Sequence, residues 1–418
     1  MRICVVGLGY IGLPTAAILV KAGYDVFGYD VNDLTISAIR DGKISIEEPG
    51  FEDLFREALS SKRLHIGNSI QVSDVYMVAV STSLKDEGQK ADLGPLKAAV
   101  KDIAEVLKDG DLVIIESTVP PGTTVTILKP ILDAKKRHYY LAFCPERVLP
   151  GDLVRELVNN DRIIGGIDPE STKRAKAIYK RFVKGRMLET DALTAELAKL
   201  FENTYRTVNI ALANELAILA EGLGGDVWSA IEIANSHPRV HIHLPGPGVG
   251  GYCLTKDPWF LIDGYEGSKI IKESMKVNAN MPAHVVEVTL AALQAQGKDP
   301  RRSKIVVLGA AYKGNVADPR ESQGFRIYAL LRKHSDNVVI QDPYVKEYRN
   351  HRPAKDLNDA LKGADVIIIV TEHDIYKKIN WDSIWKKLGK DPVLIDTRNI
   401  MKKRPDGYIL IKLGKRSK

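Results

Sequence analysis

One cysteine of this 418-residue chain lies in a segment suited to nucleophilic chemistry. Cys253 occurs in the run GGYCLTKD, residues 250–257. The two glycines leave room for a substrate to approach the sulfur, and Lys256 would favour the reactive thiolate. Cys4 and Cys144 fit the commoner role of a small buried apolar residue. Three cysteines, an odd and sparse set, indicate a reducing compartment, so we expect a cytoplasmic protein.

A second group of polar residues recurs at helical spacing. Lys199, Asn203 and Arg206 are four and three residues apart, which places them on one face of a helix. Such a face is often simply solvated. Here the surrounding residues are largely apolar, for example Leu200 and Val208, and leave little of the helix for solvent. The pattern therefore favours a functional face.

The N-terminus carries a glycine pattern that predicts a dinucleotide site. The motif G-x-G-x-x-G is formed by Gly7, Gly9 and Gly12 around Leu8, Tyr10 and Ile11, after a predicted strand and before a predicted helix. These glycines permit a tight turn, close approach of a pyrophosphate and close packing of helix on strand. Asp30 ends the second predicted strand, where a carboxylate binds a ribose diol and repels a 2′-phosphate. NAD is therefore favoured over NADP.

Short apolar runs alternate with helical patterns in the first 145 residues. Predicted strands cover 3–7, 25–30, 74–80, 111–118 and 139–144, with helices at 11–22 and 94–108. Near-continuous apolar runs are typical of strands buried on both faces of a parallel sheet. The rhythm restarts at 303–314, 337–343, 364–373 and 392–399. The sequence thus predicts two doubly wound, Rossmann-like α/β domains.

The middle of the chain is helical instead. Between about 190 and 235 the apolar spacing predicts one unusually long helix, ended by Gly222, Gly224 and Gly225. A long helix of this kind commonly serves as a dimer surface, so we expect a homodimer. The predicted domains are a dinucleotide-binding domain at 1–185, a central long-helix domain with the Cys253 loop at 186–298, and a C-terminal α/β domain at 299–418.

Composition narrows the classes of partner. Of the net charge of +7, six charges come from residues 401–418, so a basic patch on the folded body, and with it nucleic-acid binding, is not indicated. No apolar run is long enough to span a bilayer. His241 and His243 lie two apart without a third ligand nearby, so no metal site is expected.

Several separate motifs, in order along nearly the whole chain, carry a resemblance. They are GLGYIG, STVPPGT (117–123), CPERVLPG (144–151), the AKLFENTYR helix, GVGGYCLTKD, LGAAYKGNVADPRES (308–322) and DTRN (396–399). The chain resembles the nucleotide-sugar 6-dehydrogenases. That resemblance implies a four-electron, NAD-dependent oxidation of C6 of a UDP-sugar to a carboxylate through a thioester on Cys253.

The resemblance also assigns roles residue by residue. Lys199 and Asn203 would stabilise an oxyanion, Asp257 and Thr118 would position water, and Glu146 would assist thioester hydrolysis. Lys313 would bind the substrate, Arg320 would reach NAD, and Arg239 would meet the C6 end of the sugar across a dimer interface. The cofactor set is Gly7, Gly9, Tyr10, Ile11, Gly12, Asp30, Ser81, Thr82, Thr118 and Arg320. The substrate set is Glu146, Arg147, Val148, Lys199, Asn203, Arg206, Arg239, His241, Gly250, Lys313 and Arg398.

The substrate and the reaction type each leave alternatives. The segment HPRVHIHLPGPGVGG (237–251) resembles the N-acetylhexosamine branch, whereas Lys256 resembles the glucose branch, and Pro150 stands where the latter commonly has a second Glu. UDP-N-acetylmannosamine is favoured over UDP-glucose, with UDP-N-acetylglucosamine also open. A single-step β-hydroxyacid-type dehydrogenase would need neither Cys253 nor the C-terminal domain. A non-catalytic nucleotide-sugar sensor would not need the polar set.

Overall fold

The computed structural model describes residues 1–44, 46–85 and 89–415. The chain divides into two compact units. Unit 1 comprises Met1–Glu202 and Trp259–Gly264, and unit 2 comprises Asn203–Pro258 and Tyr265–Lys418.

Unit 1 is built on an eight-stranded sheet in the order β10-β9-β8-β7-β4-β1-β2-β3, parallel except between β8 and β9. The strands of unit 1 are β1 Arg2–Val6, β2 Asp25–Tyr29, β3 Leu64–Gly67, β4 Val75–Val78, the paired β5 Ser83–Leu84 and β6 Ala91–Asp92, β7 Leu112–Ile115, β8 Tyr140–Phe143, β9 Arg162–Gly166 and β10 Met187–Asp191. Its helices are α1 Gly12–Lys21, α2 Asp33–Arg40, α3 Phe51–Ser60, α4 Gly94–Val106, a π-helix Thr124–Leu128, α5 Lys129–Asp133, α6 Leu153–Asn159 and α7 Pro169–Tyr179.

The central strands of this sheet are apolar because helices cover both of its faces. In β1, Ile3 and Val5 join the core on one face, and Cys4 and Val6 join the core on the other. Burial raises the pKa of the Cys4 and Cys144 thiols to about 12, so both are inert core residues, as the sequence predicts.

Unit 2 repeats the architecture with five parallel strands in the order β12-β11-β13-β14-β15. These strands are β11 Ile305–Leu308, β12 Val338–Gln341, β13 Val366–Ile369, β14 Val393–Asp396 and β15 Ile409–Lys412. A long helix, α8 Ala192–Leu223, follows β10. The later helices are α9 Val227–Asn235, α10 Asp257–Ile262, α11 Lys269–Ala295, α12 Gln323–Leu331, α13 Leu357–Leu361, α14 Asp374–Lys377, α15 Trp381–Ile384 and a 3₁₀ turn Trp385–Lys387.

A buried acid fixes the first loop of the second sheet. Asp342, after β12, accepts hydrogen bonds from the amides of Ala310 and Ala311 at 2.7 and 2.9 Å and from those of Tyr344 and Val345 at 2.8 and 3.0 Å. His373 Nε2 lies 3.0 Å from the same carboxylate. The loop that follows β11 is therefore held by its own protein contacts.

The long helix, α8, spans Ala192–Leu223, 32 residues, and crosses from unit 1 into unit 2. It ends as predicted at the glycines, where Gly224 has φ +78° and Gly225 N–H donates to Ala220 O at 2.8 Å. The predicted extension to about 235 is wrong. Asp226 caps a separate helix, α9, by accepting from the amides of Trp228 and Ser229.

The predicted fold class, two doubly wound α/β domains joined by a central helical domain, is confirmed. All five predicted strands of unit 1 extend one or more residues past at least one of the observed ends. Residues 116–118, for example, leave β7 and enter the segment described below. In the part of the chain that the structure describes, no helix is both long and apolar enough to cross a membrane.

Candidate active site

The glycine loop after β1 has the geometry that a dinucleotide requires. Gly7 has φ +93°, and a Cβ there would lie 2.9 Å from Ala79 O. A Cβ on Gly12 would lie 1.8 Å from Gly7 O, so only glycine permits this packing of α1 on β1. A Cβ on Gly9 would meet nothing within 4 Å, which leaves that side open to a pyrophosphate. These residues fit NAD.

Asp30 holds this loop from the end of β2. One carboxylate oxygen accepts the Leu8 amide at 2.8 Å, and the other accepts the Asn32 amide at 2.9 Å. Asn32 in turn caps α2. The carboxylate therefore lies beside the glycine loop, where a ribose diol would be read.

We expect Asp30→Ala to weaken NAD binding about 10- to 100-fold, the effect of losing a charge-assisted hydrogen bond, and to relax discrimination against NADP. Dissociation constants for both dinucleotides would measure this effect. Asp33→Ala is the matched control, because Asp33 lies on α2 and bonds only the Asn68 side chain among the described hydrogen bonds. Unchanged discrimination in Asp30→Ala would contradict a role in ribose recognition.

Two predicted cofactor residues of unit 1 are brought together. Thr82 is buried, and its hydroxyl donates to Thr118 O at 2.7 Å. Ser81, next to Thr82, is exposed. The Ser117 hydroxyl, after β7, donates to Val80 O, after β4, at 2.7 Å. This hydrogen bond joins the ends of the neighbouring strands β4 and β7, and β4 also pairs with β1, which precedes the glycine loop.

Glu146 is placed beside Lys199 within unit 1. The buried Lys199 ammonium donates to the backbone carbonyl of Glu146. Glu146 Oε1 is shielded from solvent and accepts no hydrogen bond. Burial raises the pKa of the Glu146 carboxyl to about 7, against the lowering influence of the Lys199 and Arg162 charges. A carboxyl that titrates near neutrality is poised for general acid–base chemistry.

The next two residues anchor this segment. The Arg147 guanidinium bonds Glu202, with an N–O distance of 2.7 Å, and donates to Asp161 O at 3.0 Å. Val148 packs against the core. The side chains of both residues therefore make contacts within the protein, and their role in substrate binding remains a prediction.

The Cys253 thiol is exposed in unit 2, unlike the other two cysteines. Its carbonyl accepts from the amides of Lys256 and Asp257 at 3.1 and 2.9 Å, which makes a turn that leads into α10. The α8 side chain of Thr207 donates to Leu254 O at 3.1 Å and ties this turn to the helix. The sulfur is thus presented on a braced loop.

Asp257 and Asn203 form a buried pair beneath this turn. Asn203 Nδ2 donates to Asp257 Oδ2 at 2.6 Å. Asp257 Oδ1 accepts no hydrogen bond and lies 3.6 Å from the ammonium of the buried Lys256. A desolvated carboxylate oxygen without a hydrogen-bond donor is expensive unless a ligand or a water completes it. The geometry suits positioning of a reactant.

Arg320 lies with the Cys253 loop in unit 2. Its guanidinium is held by Asp318 at 2.6 Å, and its carbonyl accepts the Gly251 amide at 3.0 Å. The hydrogen bonds that the guanidinium donates to the Asp318 carboxylate raise the pKa of Arg320, and the interaction with Cys253 adds to the shift. Arg320 is therefore within electrostatic reach of Cys253. Contact with NAD remains a prediction.

Gly250 and Gly251 are required for close packing on the loop after β11. A Cβ on Gly250 would lie 2.8 Å from the Tyr312 side chain, and one on Gly251 would meet the same ring at 2.8 Å. Tyr312 adjoins the half-buried Lys313. Gly250 is thus a packing residue, and Lys313 lies in the loop against which the cysteine segment packs.

The remaining predicted substrate residues fall into two groups. The Arg398 guanidinium is near Gly246 of the Pro/Gly-rich loop, where its Nη1 lies 2.8 Å from the position of a Cβ, and its Nε bonds Val370 O. Arg206, Arg239 and His241 are exposed, and the His241 ring packs edge-on to His243 at 5.4 Å. The positions of these three exposed side chains do not assign them a contact with substrate, so their role in substrate binding stays a prediction.

Two residues of α8 hold the site through contacts that the sequence does not show. Asn214 accepts the Gly246 amide at 2.8 Å and donates to Asn278 at 2.9 Å, fixing the Pro/Gly-rich loop. Glu196 accepts from the Gly122 and Thr124 amides at 2.5 and 2.8 Å, fixing the turn after Thr118. The sequence indicates such residues in part, because a polar side chain buried on a largely apolar helix requires a hydrogen-bond partner.

A glycine loop on a doubly wound sheet, a long helix and a second doubly wound sheet define a dinucleotide-dependent dehydrogenase with an additional nucleotide-binding-type domain. Comparison with known families is more specific. The NAD binding domain, the central domain and the UDP binding domain of the UDP-glucose/GDP-mannose dehydrogenase family match residues 1–183, 193–280 and 306–403. The chain belongs to this family and is an NAD-dependent oxidoreductase.

Individual relatives cover nearly the whole chain. The UDP-N-acetyl-D-mannosamine dehydrogenase of Methanococcus maripaludis is 45% identical over 96% of this chain and 93% of its own. The solved UDP-D-ManNAc dehydrogenase of Pyrococcus horikoshii is 42% identical with a TM-score of 0.94, covering 99% of both chains. The UDP-N-acetyl-mannosamine dehydrogenase Cap5O of Staphylococcus aureus is 41% identical with a TM-score of 0.90, covering 99% and 98%.

Proposed function

We propose that this chain oxidises the C6 hydroxymethyl group of UDP-N-acetyl-D-mannosamine to the carboxylate through a thioester on Cys253. The relatives of that name, at 42–45% identity over nearly the full length, support the substrate. The observation that carries the two-step reaction is the exposed thiol of Cys253 on a turn braced above the buried Asn203–Asp257 pair.

The proposed chemistry balances as two oxidations and one hydrolysis. A hydride from C6 passes to NAD in each oxidation, which is the chemistry that the cofactor supplies. The Cys253 thiolate adds to the C6 aldehyde after the first oxidation. The second hydride leaves from the resulting thiohemiacetal, and water then cleaves the C6–S bond of the thioester. One water and two NAD⁺ give the carboxylate, two NADH and three protons at neutral pH.

The side chains divide this work according to their chemistry. The Lys199 ammonium and the Asn203 amide would stabilise the oxygen that becomes negative when sulfur or water adds to C6. Glu146, with a pKa near 7, would accept a proton from the hydrolytic water. Thr118 and Asp257 would position reactants. Lys313 and Arg398, cations of the family's UDP binding domain, would bind the substrate.

Product stoichiometry tests this function. Purified protein with excess NAD and limiting UDP-N-acetylmannosamine should give two NADH per sugar, with UDP-glucose and UDP-N-acetylglucosamine in parallel. Turnover with UDP-glucose alone would retain the mechanism and reject the substrate. One NADH per sugar would return the case to a single-step dehydrogenase, and no turnover would favour a sensor.

The proposal includes a homodimer through α8. An exposed apolar stripe follows one face of this helix at spacings of four and seven residues, formed by Phe201, Tyr205, Leu212, Leu219 and Leu223. Leu219 is 53% exposed and Leu223 is 86% exposed. A stripe of this length is suited to the same stripe on a second copy about a twofold axis.

We expect Leu212→Glu combined with Leu219→Glu to convert a dimer into a monomer, measured by sedimentation velocity. Charges buried without partners in an interface cost several kcal/mol. Ile270→Glu, on α11 and at least as exposed as the two leucines, is the matched control and should leave the dimer intact. A wild-type monomer, or a dimer that survives the double change, would reject this interface.

The proposed location is the cytoplasm, where the pools of NAD and nucleotide sugars are found. The three cysteines form no disulfide with one another, which is compatible with a reducing compartment.

A further inference from the structure

One carboxylate in unit 1 joins two segments that the proposed reaction uses separately. Glu48 is half-buried in the connection between α2 and α3. Its Oε1 accepts the Tyr10 hydroxyl at 2.5 Å and the Gly151 amide at 2.8 Å. Its Oε2 accepts the Gly151 amide at 3.0 Å and the Leu153 amide at 3.1 Å. A single side chain thus gathers donors from two distant segments.

These two segments have distinct roles. Tyr10 lies inside the glycine loop, between Gly9 and Gly12. Gly151 and Leu153 end the segment that begins at Glu146, and Gly151 turns it with φ +95°. The Glu48 carboxylate therefore ties the end of this segment directly to the glycine loop, in addition to the contacts that anchor the segment at Arg147 and Val148.

A purely local brace is the simpler interpretation, and the chain offers a direct comparison. Glu156 braces the same segment, since its Oε2 accepts the Leu149 amide at 2.7 Å. Among the described hydrogen bonds, none joins Glu156 to the glycine loop. Glu48 differs because it also accepts the hydroxyl of Tyr10, which lies in the glycine loop.

We propose that Glu48 is a positioning residue for the dehydrogenase reaction, fixing the segment that bears Glu146 to the dinucleotide loop through Tyr10. This inference rests on the proposed function, because it concerns the placement of the carboxylate that hydrolyses the thioester. A displacement of about 1 Å of a reacting group costs on the order of 100-fold in rate, so a link of this kind affects turnover more than substrate affinity.

The test compares Glu48→Ala, Glu48→Gln, Tyr10→Phe, the double change Glu48→Ala with Tyr10→Phe, and the matched control Glu156→Ala. At saturating NAD we expect kcat to fall about 10- to 100-fold in Glu48→Ala, with the KM for the sugar changed less than about threefold. Tyr10→Phe should lose about five- to tenfold, and the double change should be no slower than Glu48→Ala by more than about twofold.

Two further readouts separate positioning from stability. Glu48→Gln should recover most of kcat, because the amide keeps an acceptor for the backbone amides and a donor for the tyrosine oxygen. The acid limb of the pH–rate profile should move to lower pH in Glu48→Ala and stay in place in Glu48→Gln, since a loosened segment admits water around Glu146. Both alanine variants should melt at similar temperatures.

Each outcome decides one proposal. Two NADH per sugar in the wild type, with Glu48→Ala behaving as Glu156→Ala, would overturn the positioning role and leave the proposed function standing. Additive losses in the double change, or a Glu48→Gln variant as slow as the alanine variant, would also overturn it. A wild type without two NADH per sugar would reject the proposed function itself, before any variant is compared.

Discussion

Cys253→Ser should abolish formation of the acid, with at least about a 1,000-fold loss in the rate of carboxylate production. A serine hydroxyl is a far weaker nucleophile than a thiolate at neutral pH, and an ester at C6 hydrolyses more slowly than a thioester. Chromatography of the sugar products, with NADH counted in the same reaction, measures this loss. Sulfur is exposed at this position, so the change should leave the fold intact.

The controls for this prediction are the other two cysteines. Cys4→Ser and Cys144→Ser alter buried thiols and should reduce stability without changing the NADH-to-acid ratio. Undiminished acid from Cys253→Ser would reject the thioester route. A chain that makes acid at the normal rate without this thiol must oxidise a hydrated aldehyde directly.

Glu146→Gln should slow thioester hydrolysis about 100- to 10,000-fold and leave both oxidations nearly intact. The expected signature is a rapid burst of two NADH per chain followed by very slow turnover, with the sugar covalently held on Cys253. Stopped-flow absorbance and intact-protein mass spectrometry would detect the burst and the adduct. No burst and no adduct would contradict the assignment of Glu146 to hydrolysis.

The pH dependence has a defined sign. Burial raises the pKa of Glu146 to about 7, so the carboxylate that acts as a base is lost as pH falls through 7. In the wild type, turnover limited by hydrolysis should fall about tenfold per pH unit below that value, and Glu146→Gln should lack this limb. Because the folded state holds this proton more tightly than the unfolded chain, stability decreases as pH rises from about 4.5 to 7. Glu146→Gln should therefore melt no lower than the wild type at pH 8.

The sequence was most informative where a strand is buried on both faces. Such strands are continuous apolar runs, and β4, β7, β11 and β13 lie within the predicted ranges, while β1 begins one residue before its predicted range. The sequence did not predict β3, β9 and β10, because their environments do not require a continuous apolar run. β10 is an edge strand with Glu189 partly solvated, and β3 is the opposite edge. β9 contains Gly165 and Gly166, whose missing side chains make room for Ala195 and Thr172.

Residues that perform chemistry were easier to anticipate than residues that hold them in place. Cys253 and the glycine loop are visible because their neighbours are unusual along the chain. Glu48 and Glu196 contact residues 103 and 74 positions away, respectively, and no local pattern encodes such contacts. For Arg320 the pairing with Asp318 is local, whereas its nearness to Cys253 depends on packing of the loop after β11. The domain boundaries at 185 and 298 stay predictions.

The carboxylate that follows the second strand differs between the two sheets, although the folds are alike. Asp342 accepts from four backbone amides and pairs with His373, so it has as many donors as a carboxylate can accommodate. Asp30 is described with two such bonds and retains lone pairs for a ribose. In the second of the two similar folds, this carboxylate is therefore fully occupied by contacts within the protein. Asp342 is not available to bind a ribose diol, so the second sheet does not offer the dinucleotide the carboxylate that Asp30 offers in the first sheet. The protein therefore distinguishes the sites of the two nucleotides of the reaction before either nucleotide binds.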